Sequence, residues 1–309
     1  MEVAATRPPF CAVAPEPASP VIVDAVVAGG GVVVDPAEAD VLVWTEPLDG
    51  PGLAATLARA PGVRWVQLPF AGVDAFGSVL DEGRLWTSTK GAYSGPVAEF
   101  ALALGLAGLR RLPERARAHQ WGPPAGRRLM GGRVTVVGGG GIAEALLRLL
   151  APFRVQATVV RRHVAPVAGA AVVVPTGELH DVLPGADLVV LALALTPETE
   201  GIIGAAELAL MEPHAWLVNV ARGRHVVTDD LVEALRRRSI GGAALDVTEP
   251  EPLPADHPLW DLDNCLVTPH VANTWEMAEP LFARRVTENL SRYRRGEELL
   301  GVVSPRLGY

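Results

Sequence analysis

The 309-residue sequence has only two cysteines, Cys11 and Cys265, and they lie far apart. Such a pair offers neither a disulfide framework nor the spacing of a zinc site, so we expect a reducing, cytoplasmic location. The longest aliphatic run, at 188–195, is far shorter than the ~20 residues of a membrane-spanning helix. The first residues lack a basic start followed by an apolar segment, which predicts no signal peptide and no membrane anchor.

Lysine is also scarce, since Lys90 is the only one and arginine carries nearly all the positive charge, while the net charge is −8. Acidic and basic residues are interspersed, so the sequence indicates no basic face of the kind that binds nucleic acid. The histidines show no metal-ligand spacing, which predicts no metal site. Apolar residues make up 49% of the chain and charged residues 20%, as in ordinary globular proteins. At about 150 residues per domain, the length predicts two domains.

Short apolar segments alternate with amphipathic ones along the chain, which is the pattern of parallel sheets with helices on both faces. Strands are predicted at 10–14, 32–34, 41–44, 64–68, 85–87, 134–137, 156–160, 171–173, 188–191, 216–220, 243–247 and 265–268. Helices are predicted at 53–60, 73–80, 96–118, 142–150, 205–211, 228–237 and 274–295. The predicted fold class is therefore α/β, with two doubly wound parallel sheets joined by the helix at 96–118.

A run of four glycines follows the strand predicted at 134–137 and precedes a helix. Gly138, Gly140 and Ala143 match the G-x-G-x-x-G/A pattern of dinucleotide-binding folds. The first glycine permits a tight turn, the second lets a pyrophosphate approach the backbone, and the small third residue lets helix and strand pack closely. The helix N-terminus adds unpaired N–H groups and the positive end of a dipole. The pattern predicts a dinucleotide site, and the alternative is a glycine-rich turn that binds nothing.

The next strand ends in two arginines, Arg161 and Arg162. NAD-selective proteins usually carry an acidic residue at this place, about 20 residues after the glycines. Two guanidinium groups suit the 2′-phosphate of NADP, so we expect NADP in preference to NAD. The alternative is a pair of solvated arginines at a strand end, which would leave NAD as the cofactor.

Three polar residues lie just beyond predicted strands of the second series: Arg222, Glu251 and His270. Open parallel sheets bind their ligands at this edge. A guanidinium can pair with a carboxylate and polarise an adjacent carbonyl, and an imidazolium can protonate an oxyanion as hydride arrives. A carboxylate beside the imidazole orients it and favours its charged form. The alternatives are structural: a surface ion pair, a solvated glutamate and a histidine that only makes hydrogen bonds.

The segments around these residues resemble those of the D-isomer-specific 2-hydroxyacid dehydrogenase family. They read VNVARGRHVVTDDLVEAL, GGAALDVTEPEPLPADHPLW and LVTPHVANT. The resemblance extends from Trp65 to the C-terminus. The segment VLVWTEP, the ending VVSPRLGY and the basic strand end are similar to the glyoxylate/hydroxypyruvate reductase branch.

The resemblance implies catalytic roles for the three polar residues. Arg222 matches the substrate-binding arginine, and His270 matches the general acid/base. Glu251, rather than Glu249, matches the carboxylate that pairs with the histidine. Formate dehydrogenases of the same superfamily carry glutamine at this position, so the glutamate argues against formate as the substrate.

The resemblance also implies contacts with substrate and cofactor, made by backbone N–H groups and by residues near the nicotinamide. Tyr93, which precedes the connecting helix, is a further candidate for the substrate pocket, with a cap residue as the alternative. The substrate-binding candidates are Ala71, Gly72, Arg222 and Tyr93. The cofactor-binding candidates are Gly138, Gly140, Gly141, Ile142, Arg161, Arg162, Ala221, Asp246 and Asn273, the last of which replaces a residue that is commonly Gly, Ser or Ala.

The family fold implies two lobes with the active site in the cleft between them. Residues 1–92 and 275–309 would form a flavodoxin-like substrate-binding lobe, and residues 93–274 a dinucleotide-binding Rossmann lobe. The implied activity is hydride transfer between NAD(P)H and a small 2-oxo acid, in a homodimer. The alternatives are a dinucleotide-sensing binding protein of the corepressor type and a phosphoglycerate dehydrogenase-like enzyme. The phosphoglycerate dehydrogenase-like alternative fits poorly, because the stretch at 44–49 lacks the basic residue that such relatives use near a substrate phosphate.

Overall fold

The computed structural model describes residues 7–306 of the chain. These residues divide into two compact units. One holds the described residues up to Tyr93 and those from Thr274 onward, and the other holds Ser94–Asn273. The outer ends of the first predicted lobe, residues 1–6 and 307–309, lie outside the described residues, as does the end of the segment VVSPRLGY.

The first unit contains one parallel sheet of five strands. Before residue 94 its elements are β1 (Phe10–Ala14), α1 (Pro20–Ala28), β2 (Val32–Val33), β3 (Val41–Trp44), α2 (Gly50–Arg59), β4 (Trp65–Gln67) and β5 (Leu85–Thr87). The strand order is β2-β1-β3-β4-β5, which is the order of flavodoxin-like doubly wound sheets. Every side chain of β3 is buried, as expected where helices cover both faces of a parallel sheet.

The second unit contains a parallel sheet of seven strands. Its helices are α3 (Ser94–Leu109), α4 (Leu112–Arg117), α5 (Gly141–Leu150), α6 (Leu179–Val182), α7 (Ala205–Leu210) and α8 (Thr228–Arg236). Its strands are β6 (Arg133–Val137), β7 (Gln156–Val160), β8 (Val172–Val174), β9 (Leu188–Leu191), β10 (Trp216–Asn219), β11 (Gly242–Leu245) and β12 (Cys265–Val267). They are ordered β12-β11-β10-β9-β6-β7-β8. The strand order reverses between β6 and β9, as it does in doubly wound sheets, so the predicted doubly wound α/β class is confirmed.

The last helix, α9 (Trp275–Arg295), returns to the first unit. The hydroxyl of Thr287 donates to the carbonyl oxygen of Ala25 in α1 (2.9 Å). The buried amide of Asn289 donates to the side chain of Gln67 in β4 (2.8 Å). The C-terminal helix is thereby tied to both a helix and a strand of the N-terminal sheet.

Two of the predicted helices were wrong in part. The helix predicted at 96–118 ends at Leu109, and α4 follows after Arg111, which adopts φ 53°. In an unbroken helix the ring of Pro113 would clash with the carbonyl group of Leu109, which instead accepts a hydrogen bond from a distant backbone N–H. At 73–80 only a 3₁₀ turn forms, Asp74–Phe76, and the glycine that follows it, Gly77, has a low helix propensity.

Several features were predicted to be absent, and the described part of the chain bears on them as follows. None of its helices combines the length and apolar character needed to cross a bilayer. Between residues 7 and 306, no three His, Cys, Asp or Glu side chains gather as a metal-binding group. Cys11 and Cys265 are buried and not joined in a disulfide. The cytoplasmic location stays a prediction.

Candidate active site

His270 lies in a tight turn between β12 and α9. Its backbone adopts φ 54°, in the left-handed region that residues other than glycine rarely occupy. Its N–H donates to the carbonyl oxygens of Asp246 (2.8 Å) and Thr268 (3.0 Å). Such a conformation persists only where the surroundings hold it, and it is common at functional sites. The histidine is therefore presented from a constrained backbone.

The imidazole of His270 faces the carboxylate of Glu251, with 2.7 Å between Nδ1 and Oε1. The two side chains are 47% and 41% exposed. An ionised carboxylate only accepts hydrogen bonds, so Nδ1 is the donor in this pair. Nε2 is then the ring nitrogen that can exchange a proton with a ligand.

The pKa of Glu251 lies below its ordinary value. Burial acts to raise the pKa, whereas the hydrogen bond and the charge of His270 act to lower it. The N–H of Thr248, 3.3 Å from Oε2, and the charge of Arg222 act in the same direction as the histidine. Glu251 is therefore ionised at neutral pH, and Arg222 lies close enough to act on it.

Arg222 follows β10, and its position depends on Asn219, the buried last residue of that strand. The Asn219 side chain donates to the carbonyl oxygen of Arg222 (2.9 Å) and accepts from the backbone N–H two residues further on (3.0 Å). At Gly223 a Cβ atom would lie 1.9 Å from the carbonyl oxygen of Thr248. Only glycine allows this approach, which brings the loop of Arg222 against the loop that carries Glu251. Neither Asn219 nor Gly223 was predicted, and an asparagine at a strand end is the only sequence signal for the first.

Asp246 follows β11 and is 2% exposed. Its carboxylate accepts from the hydroxyl of Thr268 (2.6 Å) and from the N–H groups of Val271 and Ala272 (both 2.9 Å). These bonds direct the carboxylate at the turn that carries His270. The contact with nicotinamide that the family resemblance implies for Asp246 stays a prediction.

The glycine loop between β6 and α5 has the shape that a pyrophosphate needs. Gly138 has φ 115°, and a Cβ atom there would lie 2.1 Å from the carbonyl oxygen of Ala192, so glycine is required. Apart from its chain neighbours, no described atom lies within 4 Å of the Cβ position of Gly140, the N-cap of α5. The N–H groups of Gly141 and Ile142, at the start of α5, are unpaired donors of the kind that bind phosphate. The open space before this helix fits a dinucleotide pyrophosphate.

Arg161 and Arg162 follow β7, the neighbour of β6. The Arg161 side chain lies across the glycine loop, since a Cβ atom on Gly139 would be 2.7 Å from its Cδ. Arg162 is exposed, and its Nε donates to Nε2 of His163 (3.2 Å). Dinucleotide folds hold the adenosine ribose at the end of this strand. Two positive charges therefore lie on the adenosine side of the loop.

Two further cofactor candidates lie at the same edge of the sheet. Ala221, in the arginine loop, is 5% exposed. Oδ1 of Asn273 is buried and has no hydrogen-bond partner among the residues described here. A buried acceptor without a partner costs free energy. An amide N–H, which the nicotinamide carboxamide carries, is a donor that would fit it.

In the first unit, Ala71 and Gly72 lie in the loop after β4, and Ala71 is exposed. The hydroxyls of Thr89 (2.8 Å) and Tyr93 (2.5 Å) both donate to the carbonyl oxygen of Pro69, near the start of this loop. Tyr93 is 7% exposed, and burial raises its pKa to about 12. Tyr93 therefore holds the loop through a backbone carbonyl. Contact of these three candidate residues with a substrate stays a prediction.

The second unit carries a glycine loop of the dinucleotide-binding type. It also carries Arg222, Glu251 and His270 at the carboxyl edge of the same parallel sheet. This combination defines a nicotinamide-dinucleotide-dependent oxidoreductase of the doubly wound α/β class. Residues 100–272 match the family model for the NAD-binding domain of D-isomer-specific 2-hydroxyacid dehydrogenases. The chain belongs to this family, as its motifs predicted.

Individual relatives agree with this assignment. The chain is 33% identical over 258 residues to a glyoxylate reductase of Thermofilum pendens, covering 79% of this chain and 76% of the relative. It is similar to a D-isomer-specific 2-hydroxyacid dehydrogenase of Xanthobacter autotrophicus solved with NADPH and MES, with 31% identity, a TM-score of 0.85, and coverage of 98% and 100% of the two chains. It is also similar to an NADPH-dependent glyoxylate/hydroxypyruvate reductase of Sinorhizobium meliloti solved with NADP and sulfate, with 25% identity, a TM-score of 0.81, and coverage of 97% and 100%.

Glu251→Gln keeps the shape of the side chain and removes its charge. The family resemblance implies that His270 donates the proton in carbonyl reduction, so we expect activity to fall at high pH. Without the anionic partner the imidazolium is less stable, and we expect the alkaline limb of the kcat/KM profile to move to lower pH. Glu249→Gln, two residues away, is the matched control and should leave the limb in place. An unshifted limb in Glu251→Gln would show that Glu251 is not the partner.

Proposed function

We propose that the chain reduces a small 2-oxo acid, such as glyoxylate or hydroxypyruvate, with NADPH. The observation that carries the proposal is the pairing of His270 with an ionised Glu251 beside Arg222. This arrangement provides a proton donor and a carboxylate-binding group at one place. The names of the Thermofilum and Sinorhizobium relatives support this class of substrate.

A nicotinamide dinucleotide held at the glycine loop would supply a hydride to the carbonyl carbon of the 2-oxo acid. Arg222 pairs with the substrate carboxylate and polarises the carbonyl group. His270 donates its Nε2 proton to the carbonyl oxygen as negative charge develops there. Glu251 holds the ring at Nδ1 and stabilises the imidazolium before the transfer. Hydride on carbon and proton on oxygen together give the 2-hydroxy acid.

Initial rates with glyoxylate, hydroxypyruvate, pyruvate and 3-phosphohydroxypyruvate test the substrate class. Arg222→Lys keeps a charge but loses the planar fork, so KM should rise and kcat should fall, with kcat/KM for glyoxylate reduced about 10- to 100-fold. Arg238→Lys is the control, because this exposed arginine pairs with Asp263 (2.8 Å) and should retain full activity. NADPH binding without turnover of any of the four acids would contradict the proposal and favour a dinucleotide-sensing binding protein.

We further propose that the chain prefers NADPH to NADH, because two guanidinium groups lie on the adenosine side of the glycine loop. A charge-assisted hydrogen bond is worth roughly 1.5–3 kcal/mol, and about 1.4 kcal/mol is a tenfold change in affinity. We expect kcat/KM to favour NADPH at least about tenfold. The double variant Arg161→Asp, Arg162→Ala should lose most activity with NADPH and keep its activity with NADH. A wild-type ratio that favours NADH would contradict the proposal.

We propose as well that the chain forms a homodimer through the segment that follows α3. Trp121 is fully exposed at 103%, and Leu112 and Met130 are 53% and 48% exposed. Large apolar side chains exposed along one segment, residues 112–130, favour an interaction surface there. Light scattering should give twice the mass of the chain, and Trp121→Glu should give the monomer. Leu48→Glu, at a residue of the first unit that is 80% exposed, should remain dimeric. A monomeric wild-type protein would refute the proposal.

A further inference from the structure

His225 is a buried histidine that the proposed reaction does not use. It is fully buried and ends the 3₁₀ turn Gly223–His225 that directly follows Arg222. Its Nδ1 lies 3.0 Å from the carbonyl oxygen of Thr199, and its Nε2 lies 3.3 Å from that of Leu193. The ring therefore contacts both ends of one loop, residues 193–199.

The 193–199 loop follows β9 and borders the glycine loop. A Cβ atom on Gly138 would lie 2.9 Å from the backbone nitrogen of Leu193, so the two loops touch through their backbones. Within the 193–199 loop, the hydroxyl of Thr199 donates to the carbonyl oxygen of Ala194 and accepts from the N–H of Thr196 (both 2.8 Å). The loop is compact, and the imidazole of His225 closes its base.

The order of the strands places this loop relative to a bound dinucleotide. Dinucleotides cross the sheet where the strand order reverses, which here is between β6 and β9. The adenosine half belongs on the side of β7, where Arg161 lies. The nicotinamide half therefore belongs on the side of β9, next to the 193–199 loop.

The backbone of His225 is tied to the arginine loop. Its N–H donates to the carbonyl oxygen of Arg222 (3.2 Å), and its own carbonyl oxygen accepts from Ile203 (3.0 Å). We propose that His225 is a positioning residue, which fixes the loop beside the nicotinamide half of the cofactor to the turn that bears Arg222. This inference rests on the proposed function, because it assigns the loop to a bound nicotinamide dinucleotide.

If His225 only filled the core, its replacement would have a different effect. Its replacement would loosen the whole second unit and weaken every ligand of that unit to a similar degree. A positioning residue on the nicotinamide side affects NADPH selectively. Adenosine 2′,5′-bisphosphate, which contains only the adenosine part of NADPH, should then bind as before.

The test compares binding of these two probes by calorimetry in His225→Leu, His225→Asn and His225→Gln. The leucine variant loses both contacts, so we expect about tenfold weaker NADPH binding and adenosine 2′,5′-bisphosphate affinity within about twofold of wild type. Asparagine retains a donor near the position of Nδ1 and glutamine one near Nε2, and each should recover part of the NADPH affinity. The KM for glyoxylate should rise in the leucine variant, since the Arg222 turn is released.

His214→Gln is the matched control. His214 also bridges the segments of β9 and β10, through Asp187 (3.0 Å), but it lies at the amino edge of the sheet. The His214→Gln variant should leave both affinities unchanged.

Wild-type NADPH affinity in all three His225 variants would overturn the inference, as would equal losses for both probes. If the leucine variant does not fold, the asparagine and glutamine variants decide by the same criterion. Failure of the wild-type protein to bind NADPH would instead overturn the proposed function.

Discussion

The buried carboxylate of Asp246 is the constraint on which the candidate site depends. Three groups of the turn that carries His270 donate hydrogen bonds to this carboxylate. The backbone N–H of His270 donates a fourth, to the carbonyl oxygen of Asp246. These bonds hold His270 at φ 54°, a conformation that the turn would not keep alone. Because the backbone is held in place, Nδ1 of His270 bonds to Glu251 while the ring stays half exposed. The imidazole can therefore contact a ligand while it remains bonded to Glu251.

Much of the fold was predictable because most of its strands are buried on both faces. A stretch such as Leu188–Leu191, in which all side chains are buried, must be nearly all apolar, and the sequence shows it. Helix α1 was missed although Pro20 and Gly29 mark its ends. It lacks the polar stripe of a surface helix, since Val21 and Val27 are 43% and 60% exposed, and α9 packs closely against it near its C-terminal end. A Cβ atom on Gly29 would lie 2.7 Å from Cβ of Leu290.

The candidate site was predictable in kind but not in geometry. Arg222, Glu251 and His270 could be selected because each follows a strand at the edge where parallel sheets bind ligands. Their distances depend on contacts between residues far apart in sequence, such as that between Gly223 and Thr248, which no local pattern reveals. Similarly, the strand end predicted two arginines near the cofactor, but only the structure shows that Arg161 lies across the glycine loop while Arg162 is exposed.

The loops at the carboxyl edge of the second sheet are joined in the order of their strands, from β6 through β9, β10 and β11 to β12. The successive contacts are Gly138 with Ala192, His225 with Thr199, Gly223 with Thr248, and Asp246 with Val271. Each involves a backbone group on at least one side, so a change of an exposed side chain does not break the series. Displacement of one loop must, however, shift its neighbour. The glycine loop at one end and His270 at the other are therefore held in a common geometry, even though the residues between them are far apart in sequence.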